Sequence, residues 1–170
     1  MKKTILALII IFSVSAFQAQ ETDSAYKYWL TAGGMLTPDV VSFNFDYSFS
    51  SENYFYKIGY LISGGFGFTS APNIGDNGYL YKSIDFSIGK RLLSKWFQVA
   101  FFTGPSYLFG KKRTLNQDII KYNTFGLQTD VQLLFRIANE IGLGIGLYGN
   151  VNFEKSFTGI NLNITLGNGR

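Results

Sequence analysis

The chain has no cysteine and no histidine. The first absence excludes disulfides, thiol nucleophiles and lipid attachment through a lipoprotein cysteine. The second removes the Ser-His pair and the imidazole metal ligand, and with them most nucleophilic and metal-assisted catalysis. No cofactor, metal or catalytic residue is therefore expected. Proline is scarce, at 3 of 170 residues, and charged residues make up only 15%. Beyond the N-terminus no apolar run approaches the roughly 20 residues that a membrane-spanning helix needs. Aromatic residues, at 18%, and 19 glycines fill the space those absences leave.

Lys2 and Lys3 precede an apolar run from Thr4 to Val14, and small residues Ala16 and Ala19 follow it. This is the three-part layout of a cleavable secretory signal. The expected division is a signal peptide over residues 1–19 and one domain over 20–170. Without Lys2 and Lys3 the basic count falls from 15 to 13 against 11 acids, a net charge of +2. That balance gives no support to nucleic-acid binding.

Val41, Phe43, Phe45, Tyr47 and Phe49 alternate with Ser42, Asn44, Asp46 and Ser48. A period of two with one oily and one polar face is the mark of a β-strand. The pattern recurs to the C-terminus, and eight strands are expected near 27–36, 39–49, 54–68, 79–90, 97–109, 122–137, 141–153 and 157–167. The first is too weakly patterned for its faces to be assigned. Tight connections fall at 50–53, 91–96 and 138–140, looser ones at 69–78 and 110–121. Pairing across the tight turns sets oily residues against oily ones. Around 50–53 it sets Phe49 against Tyr54 and Asp46 against Lys57; around 91–96, Ile88 against Val99; around 138–140, Phe135 against Leu143.

The interior of an eight-stranded barrel holds only packed side chains or one small ligand. The oily set would overfill it, whereas Gly142, Gly144, Gly146, Ser63, Ser83, Ser87, Asn150, Asn161 and Asn163 fit. The oily face therefore points outward, toward lipid, in a closed antiparallel barrel, because open sheet edges are not tolerated in a bilayer. Asp46, Lys57, Asp85, Asp130 and Arg136 share the inward parity and are expected to form an interior polar network. Only Lys82 and Lys90 face outward, toward opposite strand ends where their stems reach the interface. Aromatic girdles are expected at both rims, of Phe49, Tyr54, Phe97 and Phe135 at the tight-turn end and of Tyr107, Phe109, Tyr122, Phe125 and others opposite. Lys111, Lys112 and Arg113 stand out as a basic group in the longest loop, chiefly a solvated tip, with lipopolysaccharide phosphates or an acidic partner as the alternative.

With this strand rhythm, and stretches such as Gly142-Leu-Gly-Ile-Gly146-Leu-Tyr-Gly149-Asn-Val, the chain resembles the small eight-stranded outer-membrane barrels of the OmpA/OmpX-like class. The resemblance implies insertion into the outer membrane of a gram-negative envelope by the barrel-assembly machinery, among outer-membrane lipid and lipopolysaccharide. Enzymes of this kind that act on lipid A, and outer-membrane proteases, depend on a histidine that this chain lacks. Gly144, Gly146 and Gly149 spell a dinucleotide fingerprint, but within a strand and with no helix following to receive a phosphate. Asp85 and Asp130 read as members of a neutralised interior network rather than as a paired-carboxylate hydrolase site. The expected role is a structural or interaction barrel with short surface loops. The alternatives are a soluble exported barrel or sandwich binding a small apolar ligand, and a narrow solute channel.

Overall fold

Each alternating segment becomes a strand, and each strand pairs antiparallel with the next. The computed structural model describes residues 27–37, 41–51, 54–64, 79–94, 97–113, 118–138 and 140–167. The expected signal peptide, Phe66, Phe68, the loop at 69–78 and the tips of the tight turns lie outside them. The strands are β1 (Tyr28–Leu36), β2 (Val41–Ser51), β3 (Tyr54–Gly64), β4 (Tyr79–Leu93), β5 (Phe97–Arg113), β6 (Ile119–Arg136), β7 (Ile141–Asn152) and β8 (Phe157–Gly167). β1 closes on β8, with Leu30 opposite Leu166 and Gly34 opposite Leu162, so the sheet is a barrel without edges. A β-sandwich is excluded by that closure.

Exposure alternates along every strand in step with the sequence. In β2, Phe43, Phe45 and Tyr47 are exposed while Ser42, Asn44, Asp46 and Ser48 are buried. The outer surface carries large apolar groups at mid-strand, among them Phe86, Leu147 and Leu162, the last 62% exposed. A water-soluble monomer rarely exposes contiguous apolar surface beyond a few hundred Å². β1, whose faces the sequence leaves open, turns Trp29, Thr31 and Met35 inward and Tyr28, Leu30 and Leu36 outward.

Two hairpin registers differ from expectation. Ser51 pairs with Tyr54, which sets Phe49 opposite Tyr56, Tyr47 opposite Ile58 and Ser48 opposite Lys57. The connection is thus the two residues 52 and 53, the favoured hairpin length, and not four. The slip is two residues, which preserves every face. It does remove the expected apposition of Asp46 and Lys57, since Asp46 lies opposite Gly59. At the second turn Leu93 pairs with Gln98 and the Ser94 N–H donates to the Phe97 carbonyl at 2.8 Å. Ile88 therefore meets Thr103 and not Val99, a shift of four that again keeps the faces. The third hairpin has the expected register, with Phe135 opposite Leu143, Leu133 opposite Ile145 and Arg136 opposite Gly142.

β5 and β6 extend past the expected strand ends. Lys111, Lys112 and Arg113 lie in β5, opposite Lys121, Ile120 and Ile119, and so belong to a ladder and not to a loop. The extension satisfies backbone groups that a loop would leave to water.

Candidate functional site

The lumen is a polar belt between two apolar plugs. At its centre Lys57 on β3, 2% exposed, donates to Asp130 Oδ2 on β6, 1% exposed, across 2.6 Å. The two are not neighbours in the sheet; their side chains meet across the lumen. Lys57 Nζ also sits over the Phe102 ring, 5.2 Å from its centroid. Gln132 Nε2 donates to the same Asp130 oxygen at 2.5 Å. Asp85 accepts from the Tyr148 hydroxyl at 3.1 Å and from Ser83 at 3.4 Å. Asp46 accepts from Asn44, which also donates to Asn163. The expected Asp46–Lys57 pair is thus replaced by Lys57–Asp130, although Asp46 and Asp85 remain within the field of the Lys57 charge.

Glycine makes this crowding feasible. Gly59 lies between Asp46 and Asp85 in the ladder. A Cβ there would come within 2.7 Å of Asp46 Oδ1 and 3.4 Å of Asp85 Oδ2. Along β7, a side chain on Gly144 would collide with Leu134, one on Gly146 with Asn161, and one on Gly142 with Thr165. Two glycines of the dinucleotide-like spelling, Gly144 and Gly146, are thus a steric device for filling the lumen, whereas a Cβ on Gly149 would meet only Thr158 at 3.7 Å. Leu134 on β6 and Asn161 and Thr165 on β8 use the room that these glycines leave.

Arg136 is a correction. It is exposed at the tight-turn rim, outside the network. The arginine that does turn inward is Arg91, 3% exposed, which the sequence reading left in a turn. Because β4 runs on to Leu93, Arg91 keeps the parity of Asp85 and Ser87, and that even spacing is the sequence signal that could have found it. Its guanidinium lies 3.7 Å from the centroid of Trp29 and 5.1 Å from that of Phe55, and it donates to Gln98 Oε1. Trp29, Phe55, Ala100 and Phe102 form the plug at this end. Met35, Leu61, Tyr81, Leu108, Tyr148 and Phe157 form the plug at the other, with Tyr122 packed against it. Alternation alone does not show these plugs, because the inward apolar residues are scattered, at most three to a strand, among polar ones. Tyr122, expected in the outer girdle, belongs to this inner plug.

The basic group divides by parity. Lys111 points outward. Lys112, opposite Ile120, reaches instead to Glu154 Oε2 at 2.5 Å, a half-exposed bridge at the loop end of the barrel. The side chain of Arg113 lies outside the described residues. Among the described residues no group of three or more Asp or Glu side chains is arranged to hold a metal ion. Asp85 and Asp130 are both buried between the plugs and engaged with Tyr148, Ser83, Lys57 and Gln132, so they act as acceptors in a closed network.

No family model matches the chain, and no curated protein matches it in sequence. Solved structures do match it in shape. The N-terminal β-barrel domain of Pseudomonas aeruginosa OprF superposes with a TM-score of 0.67 at 7% identity, over 83% of this chain and 96% of that one. Neisserial surface protein A, NspA, gives 0.61 at 9% identity, over 83% and 96%. The fold is that of the small outer-membrane barrels. The outer membrane enzyme PagL shares it, at a TM-score of 0.50 and 9% identity over 81% and 98%, so the fold is compatible with both enzymes and non-enzymes.

Proposed function

We propose that this chain is an integral outer-membrane barrel with a structural or interaction role, exported by its signal and inserted by the barrel-assembly machinery. The observation that carries the reading is the continuous outward apolar band on a closed barrel, with Asp46, Lys57, Asp85, Arg91 and Asp130 buried inside. A charged group on the lipid face costs about 2–4 kcal/mol at mid-bilayer and little at the interface. On that face Lys82, opposite Phe109, lies toward the loop-end rim, and Lys90, opposite Phe101, toward the tight-turn rim. Lys90 lies 5.3 Å from the centroid of Tyr54, in the rim belt where its stem can rise to the headgroups. Even strand number puts both ends of the barrel domain on one side with the tight turns, which barrels of this type keep periplasmic.

No enzymatic activity is proposed. The chain has no histidine, and its buried carboxylates lie beneath packed side chains at both ends. The same packing argues against a solute channel, since Lys57, Phe102, Met35, Leu108 and Gln128 are among the large side chains filling the lumen. Fractionation of expressing cells tests the reading. The mature protein should remain in the membrane pellet after carbonate extraction and change its gel mobility on boiling. Recovery in the soluble periplasmic fraction would overturn it, and sustained conductance in a planar bilayer would overturn the closed lumen.

A further inference from the structure

Lys111 and Lys121 lie directly opposite each other on β5 and β6, both exposed and both facing outward. Like charges in that position repel. On the other side of β5, Lys111 is opposite Leu80, and Lys82 follows two residues along β4 on the same face, opposite Phe109. Three lysines on three adjacent strands thus line one groove at the loop-end rim. Among the described residues none of the three has an ion-pair partner. Of the two acids described at that end, Glu154 is taken by Lys112, and Asp118 lies beyond the start of β6, further along the strand than Lys121. Between the lysine stems, Leu80 and Phe109 line a groove of ≈ 460 Å³. Its apolar lining runs on toward Tyr107 and Phe125 of the outward face, the latter 72% exposed.

We propose that this rim binds a phosphorylated outer-leaflet lipid of the lipopolysaccharide type, its phosphate held by Lys82, Lys111 and Lys121 and an acyl chain lying on Leu80 and Phe109. The inference rests on the membrane reading above. Phosphate supplies the negative charge that the opposed lysines lack, and the apolar groove selects a lipid over a free anion. The basic residues responsible differ from the sequence-marked group. Lys82 and Lys121 join Lys111, while Lys112 turns away.

Native mass spectrometry of the detergent-solubilised protein, with bis-phosphorylated lipid A as the probe, tests this. The wild type should retain the lipid, and K82Q/K111Q/K121Q should bind it about a hundredfold more weakly, at roughly a few-fold per lysine near an anionic surface. Dephosphorylated lipid A should bind the wild type as weakly as the intact lipid binds the variant. Excess inorganic phosphate should not compete. A Lys90→Gln control at the opposite rim should bind as the wild type does, and a boiling-dependent gel shift checks that each variant is folded. Equal retention by folded wild type and triple variant would overturn the site. Efficient competition by free phosphate would overturn the lipid assignment. If the protein stays soluble and monomeric without detergent, the membrane reading itself fails, a result distinct from either.

Discussion

Lys57 carries the largest consequence of any single residue. Its ammonium is buried, bonded to Asp130, and surrounded by two further carboxylates. Removing one partner of such a pair strands a charge and costs about 3–5 kcal/mol, whereas removing both with apolar replacements is far milder. Lys57→Met and Asp130→Leu should each lower unfolding free energy on that scale, and the double variant should lose much less than their sum. Urea unfolding in detergent or lipid, analysed as a double-mutant cycle, measures this, and the coupling of Lys57 to Asp46 should be smaller. The inward parity of all four charged residues was legible in the sequence. The identity of the Lys57 partner was not, because it depends on which strands face each other across the lumen, and that follows from closure rather than from any hairpin. Arg91 is hidden for a different reason: the expected turn over 91–96 is longer than the observed one, and so covers a residue on the inward parity.

At the level of strands, the faces were more legible than the register. Two-residue alternation is unchanged by slips of two or four, so the pattern fixes which side a residue is on but not which residue it meets. The β2–β3 register is checked by paired cysteines, which the cysteine-free chain makes unambiguous. Phe49→Cys with Tyr56→Cys should cross-link on mild oxidation, because directly opposed Cα atoms lie about 4.5–5.5 Å apart. Phe49→Cys with Tyr54→Cys should not. β5 holds a second feature that periodicity does not show. Asp85 pairs with Ser106 and Ile88 with Thr103, but the ladder lapses at Phe86, opposite Pro105, and Ser87, opposite Gly104. Proline has no N–H to offer there, and a Cβ on Gly104 would strike the Phe86 carbonyl oxygen and come within 2.8 Å of Ser87 Cα. Gly104→Val should therefore reduce refolding yield sharply, read by the fraction of heat-modifiable protein. Gly34→Val, on the lipid side with open space around its Cβ, should refold normally.

For the whole molecule the central claim is that the oily face of the barrel meets lipid and the polar face meets itself. Packing volume made that choice readable from sequence, since small side chains such as Ser83, Ser87, Asn161 and Asn163 leave room in the lumen and the phenylalanines do not. The plugs are not legible in the sequence because no strand contributes more than three of their members, and these are scattered among polar inward residues. Tryptophan quenching by brominated lipid tests the claim most directly. Trp29, 2% exposed and inside the lumen, is the internal reference, in a background where Trp96→Phe removes the second tryptophan. Phe45→Trp, Phe86→Trp and Leu162→Trp, each refolded into vesicles of dibrominated phosphatidylcholine, should be strongly quenched beyond the weak quenching of Trp29 alone. Strong quenching of Trp29 with none at positions 45, 86 and 162 would mean that the faces are reversed and the account is wrong.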